Sequence, residues 1–301
     1  MSAMEDATAI FGRVQPKLLG VAYRMLGSLA EAEDVVQDVW LRWLDADAAQ
    51  VDNAEAWLVA ATTRRAIDHL RLARHEREEY VGVWLPEPVL TDGDDTASTP
   101  EQLQETAGDL SIAFLTVLER LSPDARAAFL LHEVFEADYG KIADVLGKSE
   151  AATRQIVHRA KKQLREDRPL YAVSGEAHRR LMQRFVDTLS RGDLDGMKAL
   201  MAESATLIGD GGGIVLASLA PVHGGDRIAA LLYAATLRYK QALRYEIATI
   251  NGKPGLLRYV GDRLESAQSF DTDGERILRV YVQLNPVKLQ RLARHCVAKL
   301  D

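Results

Sequence analysis

Apolar and polar positions alternate along this chain in two regimes. A helical spacing runs through most of the first 168 residues, and short strand-like runs dominate beyond residue 200. Ser28-Leu29-Ala30-Glu31 has the form of a capping box. The helix after it, about Leu29 to Leu44, sets Val35, Val36, Val39, Trp40 and Trp43 near one side. Glu33, Asp34, Gln37 and Asp38 lie largely opposite. Asp52-Asn53-Ala54-Glu55 marks a second start. The helix from Ala56 to about Arg77 buries Leu58, Ala61, Ile67 and Leu70 in part. Thr99-Pro100-Glu101-Gln102 and Ser122-Pro123 each combine a cap with a proline at the first helical position. A short helix then runs through Leu146, Gly147-Lys148-Ser149 turns the chain, and a second helix starts at Glu150 with Ser149 as its N-cap. Ile142, Ala143 and Leu146 can pack on Ile156, Val157 and Ala160, which is the helix-turn-helix pattern.

Residues 80–100 read as a loop, rich in proline, acids and small polar residues. Yet Tyr80, Val81, Val83, Trp84 and Leu85 are too apolar for a solvated tether and are expected to dock. Beyond residue 175 come a helix from Glu176 to about Ser190 and a short helix to Met201. The strand-like runs are Ala205–Ile208, Ile214–Leu219, Gln241–Ile250, Gly255–Val260, Leu264–Phe270 and Arg276–Val282, with a hairpin connection at Asp271-Thr272-Asp273-Gly274. The expected organisation is a helical block over 5–78, a linker over 79–100, a second helical block over 101–168 and an α+β domain over 175–301.

Charge changes the picture. The net charge is −7, which by itself argues against nucleic acid, but the average hides a pattern. Glu76 to Asp109 holds ten acidic residues against one basic, while Lys141 to Arg168 holds eight basic against four acidic. Arg64, Arg65, Arg71 and Arg74 form another basic island. Basic islands are where DNA phosphates are met, and the acidic stretch between them reads as a linker. The start of the chain lacks the features of a secretion signal, no apolar run is long enough to span a membrane, and there is one cysteine. A cytoplasmic protein without membrane contact is expected. His295 and Cys296 lack the partners a metal site needs, and no cofactor is expected.

On the second helix of the helix-turn-helix, Glu150, Arg154 and His158 follow one another at a spacing of four. Arginine can pair bidentately with guanine and glutamate can accept from cytosine. Ser149, Gln155 and Arg159 join this candidate DNA surface, and Lys161 and Lys162 are expected on phosphates, which position without reading sequence. The glycine-dense stretch Leu207-Ile208-Gly209-Asp210-Gly211-Gly212-Gly213 does not fit a phosphate loop. Ile214 and the residues after it read as a strand, where a phosphate loop needs a lysine and a helix. A close-contact surface fits better, with Asp210 accepting N–H groups or pairing an arginine. Asp210, His223 and Asp226 form no evident acid–base constellation, so an enzyme is not expected.

The order of these blocks resembles an extracytoplasmic-function (ECF) sigma factor of the sigma-70 family. EAEDVVQDVWLRW (31–43) looks like the helix with which sigma domain 2 grips core RNA polymerase, which implies Asp34, Gln37, Asp38 and Trp43 as polymerase contacts. AWLVAATTRRAIDHLR (56–71) looks like the segment that opens and reads the −10 element, which implies Trp57, Arg64, Arg65, His69, Arg71 and Arg74 on promoter DNA. Tyr139 to Arg165 looks like the −35 reader of domain 4. WLPEP (84–88), DGGG (210–213) and NPVKL (285–289) resemble the subgroup with a fused SnoaL-like domain. Two positions depart from that subgroup. Ile214 replaces a lysine and Val287 an aspartate. Arg64 also stands where many simple members have asparagine.

The fold class implied is multi-domain: two all-α sigma domains, a domain 2 helical bundle and a domain 4 helix-turn-helix, plus a C-terminal α+β SnoaL-like cone. The partners implied are core RNA polymerase and promoter DNA, and the cone leaves room for a small-molecule ligand. An interdomain regulatory surface is expected from Trp84, Leu85, Pro86, Asp210, Gly211, Gly212, Gly213, Asn285, Pro286, Lys288 and Leu289. The competing readings are a ligand-responsive helix-turn-helix repressor or activator that does not use polymerase, and an enzyme fused to a DNA-binding segment.

Overall fold

The computed structural model describes residues 3–46, 51–91, 110–165, 173–239 and 242–298. They fall into two compact units. One takes the described residues within Met1–Glu78, Asp94–Leu110 and Phe114–Arg168. The other takes those within Glu79–Gly93, Ser111–Ala113 and Pro169–Asp301.

The first unit is all helix. Helix α1 (Ala3–Leu26), α2 (Leu29–Asp45) and α3 (Ala54–Glu78) pack on one another. Ser28 caps α2, its hydroxyl accepting from the Glu31 N–H at 3.4 Å, and Asn53 caps α3 by accepting from the Ala56 N–H at 2.9 Å. Leu18, Ala22, Tyr23, Met25, Val35, Val39, Trp43 and Leu58 are buried, so each helix turns one stripe into a shared core. Helix α4 (Ile112–Leu118) leads into α5 (Pro123–Glu133), which starts at the Ser122-Pro123 cap. Helices α6 (Tyr139–Leu146) and α7 (Glu150–Arg165) form the helix-turn-helix. Gly147 ends α6 in the left-handed region at φ 62°, and the Ser149 hydroxyl accepts from the Ala152 N–H at 3.2 Å to start α7. Ile142 and Val157 are buried at their junction with Ala128 and Leu131 of α5. The helix start at Thr99-Pro100-Glu101-Gln102, and the loop beyond Thr91, lie outside the described residues.

The second unit is α+β. Helices α8 (Gly175–Arg191), α9 (Leu194–Leu200) and α10 (Gly225–Tyr239) accompany a six-stranded sheet. Its strands are β1 (Met201–Asp210), β2 (Val222–His223), β3 (Leu243–Ile250), β4 (Lys253–Val260), β5 (Arg263–Thr272) and β6 (Ile277–Gln283). The order is β2-β1-β6-β5-β4-β3, and only the β1–β6 pairing is parallel among the described strands. Alternation along each strand decides which face a residue lines. Leu256, Phe270, Val280 and Val282 turn inward onto Leu181, Met182 and Phe185 of α8. Leu257, Tyr259 and Ala267 turn outward and are covered by Leu289 and Leu292 of α11 (Pro286–Ala298).

Two sequence expectations change. Ile214–Leu219 is not a strand; it is an exposed loop before the two-residue β2. Its apolar residues read as strand by composition, but no neighbouring strand pairs with them. Helices α10 and α11, absent from the sequence expectations, pack on opposite faces of the sheet, Ile228, Ala229 and Leu232 of α10 on the inner face and Leu289 and Leu292 of α11 on the outer.

Candidate nucleic-acid interface and linker-docking site

Asp210 ends β1 and is fully buried. A buried carboxylate is stable only when its oxygens are well supplied with donors. Oδ1 accepts from the Tyr80 hydroxyl at 2.6 Å and the Gly212 N–H at 3.0 Å. Oδ2 accepts from the Leu85 N–H at 2.9 Å, Gln283 Nε2 at 3.2 Å and Lys288 Nζ at 2.7 Å. Lys288 also donates to the Leu85 carbonyl at 2.7 Å, and its ammonium lies 4.1 Å from the Trp84 ring centroid and 5.0 Å from that of Tyr80. Burial, then Asp210, push the Tyr80 phenol well above its ordinary range, so it stays a donor. The three motifs WLPEP, DGGG and NPVKL therefore meet on one carboxylate.

Each part of the motifs has a local reason. Gly212 and Gly213 sit at φ 62° and 72°. A Cβ on Gly212 would strike the Asn285 side chain, and one on Gly213 would press on Val81 at 3.2 Å. Gly211 is closed off by the carbonyl of Val215. Asn285 N-caps α11, its Oδ1 accepting from the Val287 N–H at 3.0 Å, and Pro286 takes the first helical position. Leu289 is buried under the sheet's outer face. The departures Ile214 and Val287 are both exposed, at 62% and 67%, so neither takes part in the Asp210 network.

Residues 80–91 run on as a strap over the same unit. Leu85 is buried with Ile112, Ala113 and Tyr281, and Pro86 is buried beside it. At the far end Val89 and Asn251 exchange two bonds: the Val89 N–H donates to Asn251 Oδ1 at 2.9 Å, and the Asn251 N–H donates to the Val89 carbonyl at 2.8 Å. The Thr91 N–H donates to the Thr249 carbonyl at 2.9 Å, extending the β3 edge. Sequence reasoning missed Asn251, Gln283 and Thr91. No local pattern marks them, since each acts on a residue more than 150 positions away.

In the helix-turn-helix, Glu150, Arg154, Gln155, His158, Arg159 and Lys162 of α7 are exposed, as is Ser149 before them. Arg154 pairs with Glu150, and its guanidinium lies 4.9 Å over the Tyr139 ring. Lys161 pairs with Glu133 at 2.9 Å. Burial opposes the Glu133 charge, but the bonds from Lys161 and His132 win and lower its pKa. Tyr139, Val157, His158, Lys161, Lys162 and Arg165 line an open cleft of about 680 Å³. Four of these six side chains can carry positive charge, so the cleft is suited to an anionic backbone.

In the α1–α3 bundle the promoter-facing candidates are engaged within the protein. Arg64 donates Nε to the Val145 carbonyl at 3.1 Å and Nη2 to the Asp144 carbonyl at 2.8 Å, both at the end of α6. Arg65 pairs with Asp38 at 2.7 Å, so a −10 candidate and a polymerase candidate hold each other. Arg71 pairs with Asp124 at 2.8 Å, and Lys148 joins the same carboxylate at 3.1 Å. His69 lies 3.9 Å from Glu31. Trp57 is half-buried against Trp43, with ring centroids 5.4 Å apart. Asp34 and Gln37 are exposed on α2. The Arg74 side chain lies outside the described ones. Trp43 is a correction: it is 1% exposed and donates Nε1–H to the Ala7 carbonyl at 3.2 Å, so it builds the core and offers no surface to polymerase.

Comparison with known proteins agrees with this architecture. Residues 10–76 match the sigma-70 region 2 model and residues 111–164 the sigma-70 region 4 model. The chain is 38% identical over 250 residues to the ECF RNA polymerase sigma factor SigJ of Mycobacterium tuberculosis, covering 81% of this chain and 78% of that one. It is 29% identical to the probable ECF RNA polymerase sigma factor SigI of the same species, over 97% of this chain and 98% of that one. The crystal structure of Mycobacterium tuberculosis SigJ superimposes with a TM-score of 0.76 at 32% identity, covering 94% of this chain and 98% of that chain. With both sigma regions matched and a relative aligned across sigma and C-terminal domains alike, the chain belongs to the ECF RNA polymerase sigma factors, and it carries an α+β domain after region 4.

Proposed function

We propose that the C-terminal domain of this sigma factor controls promoter opening in cis by fastening the segment that joins regions 2 and 4. As an ECF sigma factor the protein binds core RNA polymerase and directs it to −35 and −10 promoter elements. That work needs binding and strand separation, not bond chemistry. Unstacking bases costs a few kcal/mol per step, which stacking and edge contacts return. In this reading Arg64, Arg65, His69, Arg71, Arg74 and Trp57 serve the −10 element. Ser149, Glu150, Arg154, Gln155, His158, Arg159, Lys161 and Lys162 serve the −35 element. Asp34, Gln37 and Asp38 serve polymerase.

The observation that carries the cis reading is the Asp210 carboxylate. It gathers Tyr80, Leu85, Gln283 and Lys288 at once, and both Leu85 and Ile112 are buried on the same outer face. Residues on both sides of the 92–109 stretch are thus held by one domain. A tether held at both ends has less reach than a free one, so fastening or releasing the strap changes what regions 2 and 4 can span. The test is open-complex formation by Asp210→Ala with core polymerase. The substitution takes the counter-charge from the buried Lys288 ammonium, which keeps the Leu85 carbonyl, and the acceptor from the Leu85 N–H, a loss of about 3–5 kcal/mol at this site. A severalfold change in promoter opening is expected, with the strap becoming sensitive to protease. Unchanged opening with the strap demonstrably released sinks the regulatory role and leaves the sigma activity standing.

A further inference from the structure

We infer that Tyr139 is a positioning residue for −35 readout, holding the Arg154 guanidinium for a guanine edge. The inference rests on the reading of α7 as the −35 reader.

Arg154 projects from the N-terminal half of α7, where a recognition helix meets base edges. Its side chain is 61% exposed, and a free arginine there samples many rotamers. Two contacts limit it. One is the ion pair with Glu150, one turn earlier on the same helix. Exposed pairs of this kind are weak and salt-screened, and Glu150 must turn away if it accepts from cytosine. The other contact is the ring of Tyr139, 4.9 Å from the guanidinium carbon. Tyr139 belongs to α6, so this support comes from the other helix of the motif and persists when Glu150 leaves.

The ring is itself held. Tyr139 packs on the cluster of Ala128, Leu131, Ile142 and Val157. The His132 ring lies 4.3 Å from it, tilted by 41°. His132 Nδ1 is 2.8 Å from Glu133 Oε1, and Glu133 pairs with Lys161 of α7. The anchored ring thus gives a long, flexible arginine a fixed platform. The bidentate arginine–guanine contact depends on the orientation of the planar fork. Stacking on the ring's π face costs the fork none of its in-plane N–H donors.

The experiment selects binding sites from promoters randomised in the −35 element, using the full chain with core polymerase. It compares the parent with Tyr139→Phe, Tyr139→Leu and Arg154→Ala. Tyr139→Phe keeps the ring and is expected to keep the parent's base preferences. Tyr139→Leu keeps apolar packing but removes the platform. It is expected to lose about threefold or more of the discrimination at the base pair that Arg154→Ala also relaxes, a size in keeping with an exposed cation–π contact. Preferences elsewhere, the salt dependence of binding and the thermal transition are expected to stay. A uniform loss of binding in Tyr139→Leu, or a loss at base pairs Arg154→Ala does not touch, overturns the positioning role and leaves Tyr139 as packing. If Arg154→Ala itself changes no base preference, the reading of α7 fails, and the inference with it. That outcome is separate, because it appears without any Tyr139 variant.

Discussion

His178 shows how one buried side chain couples the C-terminal domain to pH. It lies on α8, 5% exposed, with Nε2 buried and making no hydrogen bond. Burial, helped by the charge of Lys253, brings its pKa from 6.5 down to about 4. Between those two values the unfolded chain takes up a proton that the folded chain refuses. Stability is therefore complete above about pH 6.5 and is lost as pH falls towards 4, by up to about 1.4 kcal/mol per pH unit. Thermal unfolding of the full chain between pH 7 and 5 is expected to show this slope, and His178→Leu is expected to flatten it. A variant whose transition keeps the parent's pH dependence refutes the assignment. Asp210 teaches the converse lesson. It is as deeply buried, but five donors, the Lys288 ammonium among them, supply what water would.

At the scale of the element, the strap is a chain segment with little regular structure of its own. Its order comes from its two ends: the Asp210 network and the turn at Asn251. Asn251 sits at φ 51°, a conformation asparagine tolerates and glycine adopts without strain. Asn251→Gly therefore keeps the turn while removing the acceptor of the Val89 N–H. The lost bond is worth about 1–3 kcal/mol locally, because it leaves a buried donor unpaired. Hydrogen exchange at Val89 is expected to speed up by about tenfold or more, with the β3–β4 amides little changed. Unaltered protection at Val89 shows that the Asp210 end alone holds the strap.

At the scale of the whole molecule, the unit that contains regions 2 and 4 uses its own candidate DNA contacts to hold itself together. Arg64 spends its donors on carbonyls at the end of α6, and Arg71 and Lys148 share Asp124. Asp124 is not among the DNA-facing candidates, so its removal loosens Arg71, which keeps only its longer pair with Asp68 at 3.5 Å, without deleting a candidate contact. Asp124→Ala, assayed with core polymerase, is expected to raise promoter affinity by about twofold to fivefold, since an exposed pair holds less than about 1 kcal/mol. The gain should shrink at high salt, where the pair is screened and promoter phosphates attract less. Equal or lower affinity across the salt range shows that the Asp124 pairs do not compete with the promoter.

The helices with strong period and caps, α2, α3, α6, α7 and α8, follow from sequence alone, because side chains three and four apart share a face whatever lies opposite. The helix-turn-helix follows for the same reason: Gly147, Ser149 and the facing apolar triplets are all local. The motif triplet WLPEP, DGGG and NPVKL was legible as a surface that must meet something. The partner of each motif, however, depends on residues up to 205 positions apart, such as Tyr80 and Asn285, and spacing along the chain carries no information about that. Tertiary structure alone decided that Ile214–Leu219 has no strand to pair with, that Trp43 is core, and that Arg65 and Asp38 face each other. The physical reason is common to all three. Periodicity says which side of an element is apolar, while burial, pairing and charge neutralisation depend on what the rest of the chain brings to that side.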